Sequence, residues 1–281
     1  MMPQKRPDRL SALIQRFRIE AKVLPIGTMG TSGDLVRHTA TNLIIVGRGR
    51  LHLPDLEGEA SVLVFFPRGA PADFKMTPRT DDAGYVCASI NTGGEANPFL
   101  LALPDVVTLP LNQAEPLQAV ADILLEEALT PRCGGRAVID RLCEIVVIRL
   151  LRHLIEAGKT KVGLVAGLAH PNLALAIVAM HDNPDKNWRL EDMADIAVMS
   201  RTHYANTFRN VVGVTPGGYL SEWRLTLARM EITKGIPLKA VAEKVGFSSS
   251  AALSRAFKRR YGISPRQDCL RSAWHCQRKL T

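Results

Sequence analysis

Two stretches in the last third of the chain share one pattern, and this repeat constrains the fold more than any other feature. The first runs from Leu190 to Gly213 and the second from Leu238 to Gly262. Each begins with a short amphipathic segment, breaks at a turn, carries a serine suited to cap a helix, and continues as a second amphipathic segment. A helix, a turn and a second helix with a polar outer face are typical of the helix-turn-helix motif.

The spacing of apolar residues predicts which face of each second helix is buried. Leu253, Phe257 and Tyr261 recur every four residues, and Tyr204 and Phe208 do the same in the first block, so we expect all five to face inward. The remaining faces are polar and available to a partner. They carry Arg201, Thr202, Ala205, Asn206 and Arg209 in the first block, and Ser250, Ala251, Ser254, Arg255, Lys258 and Arg259 in the second.

A third helix is expected between the two blocks. Thr215 is suited to its N-cap and Pro216 to its first position, and an apolar series from Leu220 to Met230 follows. One helix pair joined by a turn is also common in all-α proteins that bind no nucleic acid. Two pairs on a rigid spacer would hold two recognition helices at a fixed separation, as successive major-groove turns of DNA require.

Positive charge is concentrated in the same region. The net charge is +9 over 281 residues, but residues 182–281 hold 17 Lys and Arg against nine Asp and Glu, whereas residues 1–181 hold 19 against 18. A basic surface alone is often only a solvated face. Its coincidence with the helix pairs predicts a polyanionic partner, double-stranded DNA, because phosphate contacts supply most of the non-specific affinity.

Several short motifs mark this stretch. They include Met199-Ser200-Arg201, Phe208-Arg209, Gly213-x-Thr215-Pro216, Gly246-Phe247 and Gly262-x-Ser264-Pro265. With these motifs the last third of the chain resembles the C-terminal DNA-binding domain of AraC/XylS-type transcription regulators. The chain departs from that family's usual pattern at Ala251-Ala252-Leu253, where an aromatic residue is usual, and at Asp268-Cys269, where Tyr-Arg is usual. The resemblance implies a sequence-specific transcription regulator, with RNA polymerase as a candidate protein partner.

The chemistry of the exposed side chains on the two recognition helices indicates which of them contact bases and which contact phosphates. Arginine can bond guanine O6 and N7 together, so Arg255 is the strongest candidate for base contact. The other positions expected to face bases are Thr202, Ala205, Asn206, Ser250, Ala251 and Ser254. The remaining cations are better placed for phosphates, which position a protein on DNA without specifying sequence. These are Arg201, Arg209, Lys258 and Arg259.

In the first third of the chain the sequence pattern has a period of two residues, as in β-strands. Short apolar runs between glycine and proline turns predict strands and an antiparallel barrel or sandwich. The predicted strands are Asn42–Val46, Arg50–Leu53, Ser61–Phe66 and Gly84–Ile90. Together with Phe66-Pro-Arg-Gly-Ala-Pro71 and Leu101-Ala-Leu-Pro104, they resemble the cupin-type sensor domain found in front of some AraC-type regulators. This resemblance implies a response to a small-molecule effector or a redox signal.

Catalytic and metal-binding signatures are missing from the sequence. Metal-binding cupins present a His-x-His and further ligands, whereas this region contains only His38 and His52 and has Ala72-Asp73 where a histidine is often found. We therefore expect no metal, no other cofactor and no enzymatic activity. Two alternatives stay open: a cupin-derived enzyme with an appended basic helical domain, and an adaptor whose helix pairs bind another protein.

Cys87 has two interpretations. Free cysteine is among the most buried residue types, so a small core residue is favoured. A redox-sensing thiol is the alternative, and it would need access to solvent and a lowered pKa.

The chain as a whole is predicted to be an α+β protein in three parts. Residues 1–113 form a cupin-like antiparallel β-barrel, 114–180 a helical connector, and 181–281 an all-α DNA-binding domain with two helix-turn-helix motifs. Pro104–Glu115 is expected to be a loop, and the polar run from His181 to Asn187 a linker. The connector helices are predicted at Pro116–Leu129, Gly135–Ala157 and Pro171–Met180.

The long connector helix at Gly135–Ala157 is too apolar to stand alone and must pack against the barrel, a neighbouring helix or a second subunit. We expect it to form a homodimer contact, with Leu142 and Leu150 at that contact. No secretory signal or membrane-length apolar run is found, which predicts a cytoplasmic protein without a membrane partner.

Overall fold

The computed structural model describes residues 8–17, 19–23, 41–47, 61–71, 85–91, 97, 100, 102–130, 132–158 and 162–270. The chain forms two compact units, Ile14–Thr160 and Lys161–Thr281, the second together with Met1–Leu13. A short helix, α1 (Ser11–Arg16), lies near the start of the chain. Every described strand belongs to the first unit. The α+β class is confirmed, whereas the predicted division at residues 113 and 180 stays a prediction.

The first unit contains one antiparallel sheet with the strand order β1-β4-β2-β3-β5. The strands are β1 (Glu20–Val23), β2 (Leu43–Val46), β3 (Val62–Phe65), β4 (Tyr85–Asn91) and β5 (Val107–Pro110). The middle three confirm predicted strands. Within the described residues the sheet is open, with β1 and β5 at its edges, rather than closed into a barrel. The expected strand at Arg50–Leu53 lies outside the described residues.

Two edge elements differ from the sequence prediction. β1 was not predicted, and β5 lies inside the segment expected to be a loop, where it is followed by a 3-10 helix at Leu111–Gln113. Each strand is only four residues long, too short for periodicity to identify it. Pairing with β4 and with β3 supplies the hydrogen bonds that make them strands.

Helices α2 (Glu115–Leu129) and α3 (Gly135–Ala157) complete the first unit. They agree with the predicted helices, and left-handed glycines, Gly134 (φ 77°) and Gly158 (φ 59°), flank α3. Two side chains of α3 satisfy the backbone of the edge strand β1. Asp140 Oδ1 accepts from the Val23 amide at 2.9 Å, and the guanidinium of Arg136 donates to the Val23 carbonyl at 3.2 Å. These bonds fasten the long helix to the sheet.

The second unit is all helical in its described part. Its helices are α4 (Leu164–Ala169), α5 (Pro171–Asp182), α6 (Leu190–Ile196), α7 (Arg201–Val212), α8 (Pro216–Thr233), α9 (Leu238–Lys244) and α10 (Ser250–Tyr261). Helix α4 was not predicted from the sequence. Helix α5 extends two residues beyond the expected end and includes His181. None of the helices in the described part of the chain is long and apolar enough to cross a membrane.

His181 belongs to the core of the second unit rather than to a polar linker. Its side chain is buried, shares a 2.6 Å hydrogen bond with the Tyr219 hydroxyl through Nε2, and stacks on Trp223 with ring centroids 4.0 Å apart. Both aromatic partners lie on α8. The linker between α5 and α6 therefore begins at Asn183, two residues later than the polar run in the sequence indicates.

Candidate nucleic-acid interface

The first helix-turn-helix consists of α6 and α7. The Ser200 hydroxyl caps α7 by accepting from the His203 amide at 3.4 Å. Tyr204 and Phe208 are fully buried, with ring centroids 5.6 Å apart, as the apolar spacing predicts. The predicted contact positions lie on the other faces of α7. Arg201, Thr202, Asn206 and Arg209 are exposed, and Ala205 is half-buried.

The second helix-turn-helix consists of α9 and α10. The Ser249 hydroxyl caps α10 by accepting from the Ala252 amide at 3.1 Å. Leu253 and Phe257 are fully buried, and Tyr261 is half-buried. The predicted contact positions are again accessible. Ala251, Arg255, Lys258 and Arg259 are exposed, and Ser250 and Ser254 are half-buried.

The two turns place equivalent residues in left-handed backbone. Val198 has φ 53° in the first turn, and Gly246 has φ 81° in the second. Left-handed backbone is costly for a β-branched residue and readily adopted by glycine. Val198 is 77% exposed, so its side chain has room. A Cβ on Gly246, in contrast, would lie 2.8 Å from the Asp185 Cα and from the Pro184 carbonyl oxygen.

Helix α8 is the common base of both motifs. The Thr215 hydroxyl caps it by accepting from the Gly218 amide at 3.2 Å, and its 18 residues span about 27 Å at the α-helical rise. Tyr219 of α8 packs edge-on against Phe208 of α7 at 5.6 Å. At the other motif, Glu222 of α8 pairs with Arg260 of α10. The spacer predicted from Thr215-Pro216 is thus joined to each recognition helix.

Arg224 is a residue whose role the sequence did not reveal. It lies half-buried on α8, donating through Nε to the Pro184 carbonyl at 2.7 Å and through Nη2 to the Lys186 carbonyl at 2.8 Å. These bonds hold the linker before α6 against the spacer helix and beside Gly246. The available signal was the position of this arginine between Trp223 and Leu225, two buried residues of the apolar series of α8.

Asp268, one of the departures from the family pattern, has a structural role. Its carboxylate accepts two hydrogen bonds from Arg229 of α8, at 2.8 and 2.9 Å. The Asp268 side chain is only 3% exposed. The guanidinium of Arg229 also lies 4.9 Å from the centre of the Tyr261 ring, at the end of α10. The pair therefore fastens the segment after α10 to the spacer helix.

The cations of the two recognition helices differ in whether an acidic side chain already pairs with them. Arg201 donates to Glu191 at 2.8 Å, a hydrogen bond that lowers the pKa of this glutamate, and Arg260 is held by Glu222. The other four make no ion pair among the residues the structure describes. They are Arg209 on α7 and Arg255, Lys258 and Arg259 on α10. Three of the four lie on α10, which makes this helix the more cationic surface.

Cys87 is half-buried on β4, an inner strand of the sheet next to the edge strand β1. Its side chain packs against an apolar cluster that includes Ile44, Val64 and Phe66. Burial raises the pKa of the Cys87 thiol to about 11, which keeps it protonated at neutral pH. A protonated thiol is a poor nucleophile, so this environment favours the core interpretation.

The described residues also bear on metal binding. Across residues 8–270, leaving out the undescribed segments, no three His, Cys, Asp or Glu side chains are placed to hold a metal ion. His38 and His52 lie outside the described residues. The expected absence of a metal and of other cofactors stays a prediction.

Comparison with known proteins assigns a family to both parts of the chain. The cupin family matches residues 8–156, and the helix-turn-helix domain family matches residues 193–268. A protein of Streptomyces lividans named as an AraC-like transcription regulator is 34% identical over 190 residues, covering 66% of this chain and 62% of the relative. The RCS-specific HTH-type transcriptional activator RclR of Escherichia coli is 31% identical over 185 residues, covering 64% and 65%.

The chain thus matches less than two thirds of the length of either relative. A solved AraC-type DNA-binding-domain protein from Chromobacterium violaceum is 25% identical, with a TM-score of 0.36, and covers 37% of this chain and 95% of that chain. With a cupin match over the first half and a helix-turn-helix match near the end, the chain belongs to the AraC-type family whose members carry an N-terminal cupin domain.

Proposed function

We propose that the protein is a sequence-specific DNA-binding transcription regulator of the AraC type. One observation carries this proposal. Two capped recognition helices are joined to one spacer helix, and each presents exposed cations on the face away from its core. Phosphate neutralisation by such cations provides affinity, and polar side chains beside them can reach base edges.

The contact residues keep the roles expected from their chemistry. Arg255 would bond a guanine, with Ser250, Ala251 and Ser254 around it on α10 and Thr202, Ala205 and Asn206 as the base-facing set of α7. Arg209, Lys258 and Arg259 would bind phosphates. Arg201 would do so only by exchanging Glu191 for a phosphate, because the two side chains pair in the free protein.

The cupin part would sense a small-molecule effector, and RNA polymerase would be the protein partner of the DNA-bound regulator. The relatives carry names of transcription regulators, which supports regulation rather than the alternative of a cupin-derived enzyme. The apolar surroundings of the half-buried Cys87 raise the pKa of its thiol, which supports an effector that binds non-covalently over a signal that oxidises this thiol.

Selection of duplexes from a random DNA pool tests the proposal. The full chain should enrich one motif with two half-sites about 10 base pairs apart, one for each recognition helix. Retention of all duplexes without enrichment would show non-specific binding only. Retention of none would favour an adaptor whose helix pairs bind another protein.

We also propose that α3 forms a homodimer contact through its exposed apolar stripe. Val138 and Ile145 are each 43% exposed, and Leu142 between them is half-buried. Their spacing of four and three residues is the repeat by which two helices pack side by side. We also expected Leu150 at this contact. That prediction is wrong, because the Leu150 side chain is completely buried within its own unit.

Replacing Ile145 with arginine should therefore weaken the dimer. A charge placed in an apolar contact must be desolvated, so we expect the dimer Kd to rise at least about tenfold. Analytical sedimentation measures this directly. Ile123→Arg is the control, since Ile123 is a similarly exposed apolar residue on α2, at 54%. A wild-type chain that stays monomeric at every concentration, with or without DNA, would contradict the proposal.

A further inference from the structure

A cleft of about 260 Å³ lies in the first unit, between the beginning of α2 and the last turns of α3. Its apolar wall consists of Ala114, Pro116 and Leu117. Of these, Ala114 and Leu117 are also part of the buried core, which makes the wall a fixed surface. A volume of this size holds roughly nine water molecules, or an organic molecule of about ten non-hydrogen atoms.

The opposite wall is charged. It is formed by Arg149, Arg152, His153 and Glu156 of α3. These positions are separated by three, one and three residues, so they share one face of the helix. Arg149 and His153 are half-buried, and Arg152 and Glu156 are exposed. The cleft therefore has two guanidinium groups and one imidazole against a single carboxylate.

The two arginines of the cleft lack the partners that other arginines of this unit have. Arg132 pairs with Glu126 at 3.0 Å, and Arg141 pairs with Glu144 at 3.0 Å. Among the described residues, neither Arg149 nor Arg152 makes an ion pair or hydrogen bond, although Arg149 is partly removed from solvent. A partly buried cation without a partner is unfavourable, and an anion in the cleft would relieve this cost.

We propose that this cleft binds a small organic monocarboxylate. The carboxylate would accept hydrogen bonds from Arg149 and Arg152, whose planar guanidinium groups match its geometry, and His153 would offer a further donor. The apolar body of the ligand would lie against Ala114 and Leu117. Glu156 at the end of the cleft repels a second negative charge, so a monocarboxylate is favoured over a dicarboxylate.

The position of the cleft suggests how its ligand would act. Arg149 and Arg152 follow Val138, Leu142 and Ile145 along α3 with the same spacing of three and four residues. A bound carboxylate would neutralise the charged end of the stripe proposed as the dimer contact. This consequence rests on the proposed function, whereas binding in the cleft does not.

Calorimetry of the full chain with cyclohexanecarboxylate tests the inference. This probe has an apolar ring and one carboxylate, and cyclohexylmethanol is its neutral counterpart. We expect the carboxylate to bind at millimolar concentration and the alcohol not to bind. Arg149→Gln and Arg152→Gln should each weaken binding about tenfold or more, because each removes charged hydrogen bonds to the ligand. Arg141→Gln, an arginine substitution on the same helix outside the cleft, should leave binding unchanged.

Several results would overturn the inference. They are no binding of the carboxylate, equal binding of the alcohol, or unchanged binding to the Arg149 and Arg152 variants when their thermal unfolding matches that of wild type. Affinity for DNA is measured on the same preparation without the probe. A chain that binds its DNA site but not the carboxylate would contradict the proposed ligand of the cleft and leave the proposed function intact.

Discussion

Replacing Gly246 with valine is expected to lower the free energy of unfolding of the helical unit by about 3 kcal/mol or more. Gly246 has φ 81°, a backbone conformation that costs a valine about 1–2 kcal/mol. The new Cβ would also lie 2.8 Å from two backbone atoms, the Asp185 Cα and the Pro184 carbonyl oxygen. Since Arg224 holds that segment in place, the clash is not relieved by a small movement. Urea unfolding monitored by circular dichroism measures the loss.

The reciprocal change in the first turn is the matched control. Val198 has φ 53° and is 77% exposed, so Val198→Gly removes the strain and forfeits little buried surface. We expect it to be neutral or to stabilise the unit by up to about 1 kcal/mol. If Gly246→Val were as harmless as Val198→Gly, the turn of the second motif would not have the crowded geometry described above.

Replacing Arg255 with alanine is expected to weaken binding to the selected duplex by about 1–3 kcal/mol and to relax the preference at one base pair. Arg255 is exposed on α10 and makes no ion pair within the described part of the chain, so its guanidinium is free to bond a guanine. Competition binding against duplexes substituted at each position identifies the base pair.

Lys258→Ala is the control for charge. Lys258 lies one turn further along α10 and is assigned to a phosphate, so its loss should weaken the selected and random duplexes by similar factors. If Arg255→Ala instead weakened both duplexes equally, the assignment of Arg255 to base readout would be wrong.

The pattern of neighbouring residues in the sequence was sufficient to predict the parts of the fold that local interactions determine. The four-residue spacing of Leu253 and Phe257 placed both in the core, and Thr215-Pro216 located the start of α8. Ser200 and Ser249 cap their helices through amides three residues away. In each case the residues that form the structure are close neighbours in sequence, so helical periodicity and capping chemistry contain the information.

The elements that the sequence did not predict depend on distant partners. β5 is a strand because it pairs with β3, more than 40 residues earlier, and His181 is buried because Tyr219 and Trp223 lie against it. Leu142 and Leu150 look equivalent in the sequence, and only the packing of α3 makes one half-buried and the other fully buried. In the candidate interface, the pairing of Arg201 with Glu191 could not be foreseen from charge alone.

The salt dependence of DNA binding tests the central claim most directly. The affinity of the full chain is measured for the selected duplex and for a scrambled duplex of equal length, from low to physiological salt. If Arg209, Lys258 and Arg259 bind phosphates and Arg201 joins them, the logarithm of affinity should fall linearly with the logarithm of salt concentration, with a slope of about −3 to −4 per chain. The selected duplex should bind more tightly throughout. Affinity that is independent of salt, or equal for the two duplexes, would contradict the account.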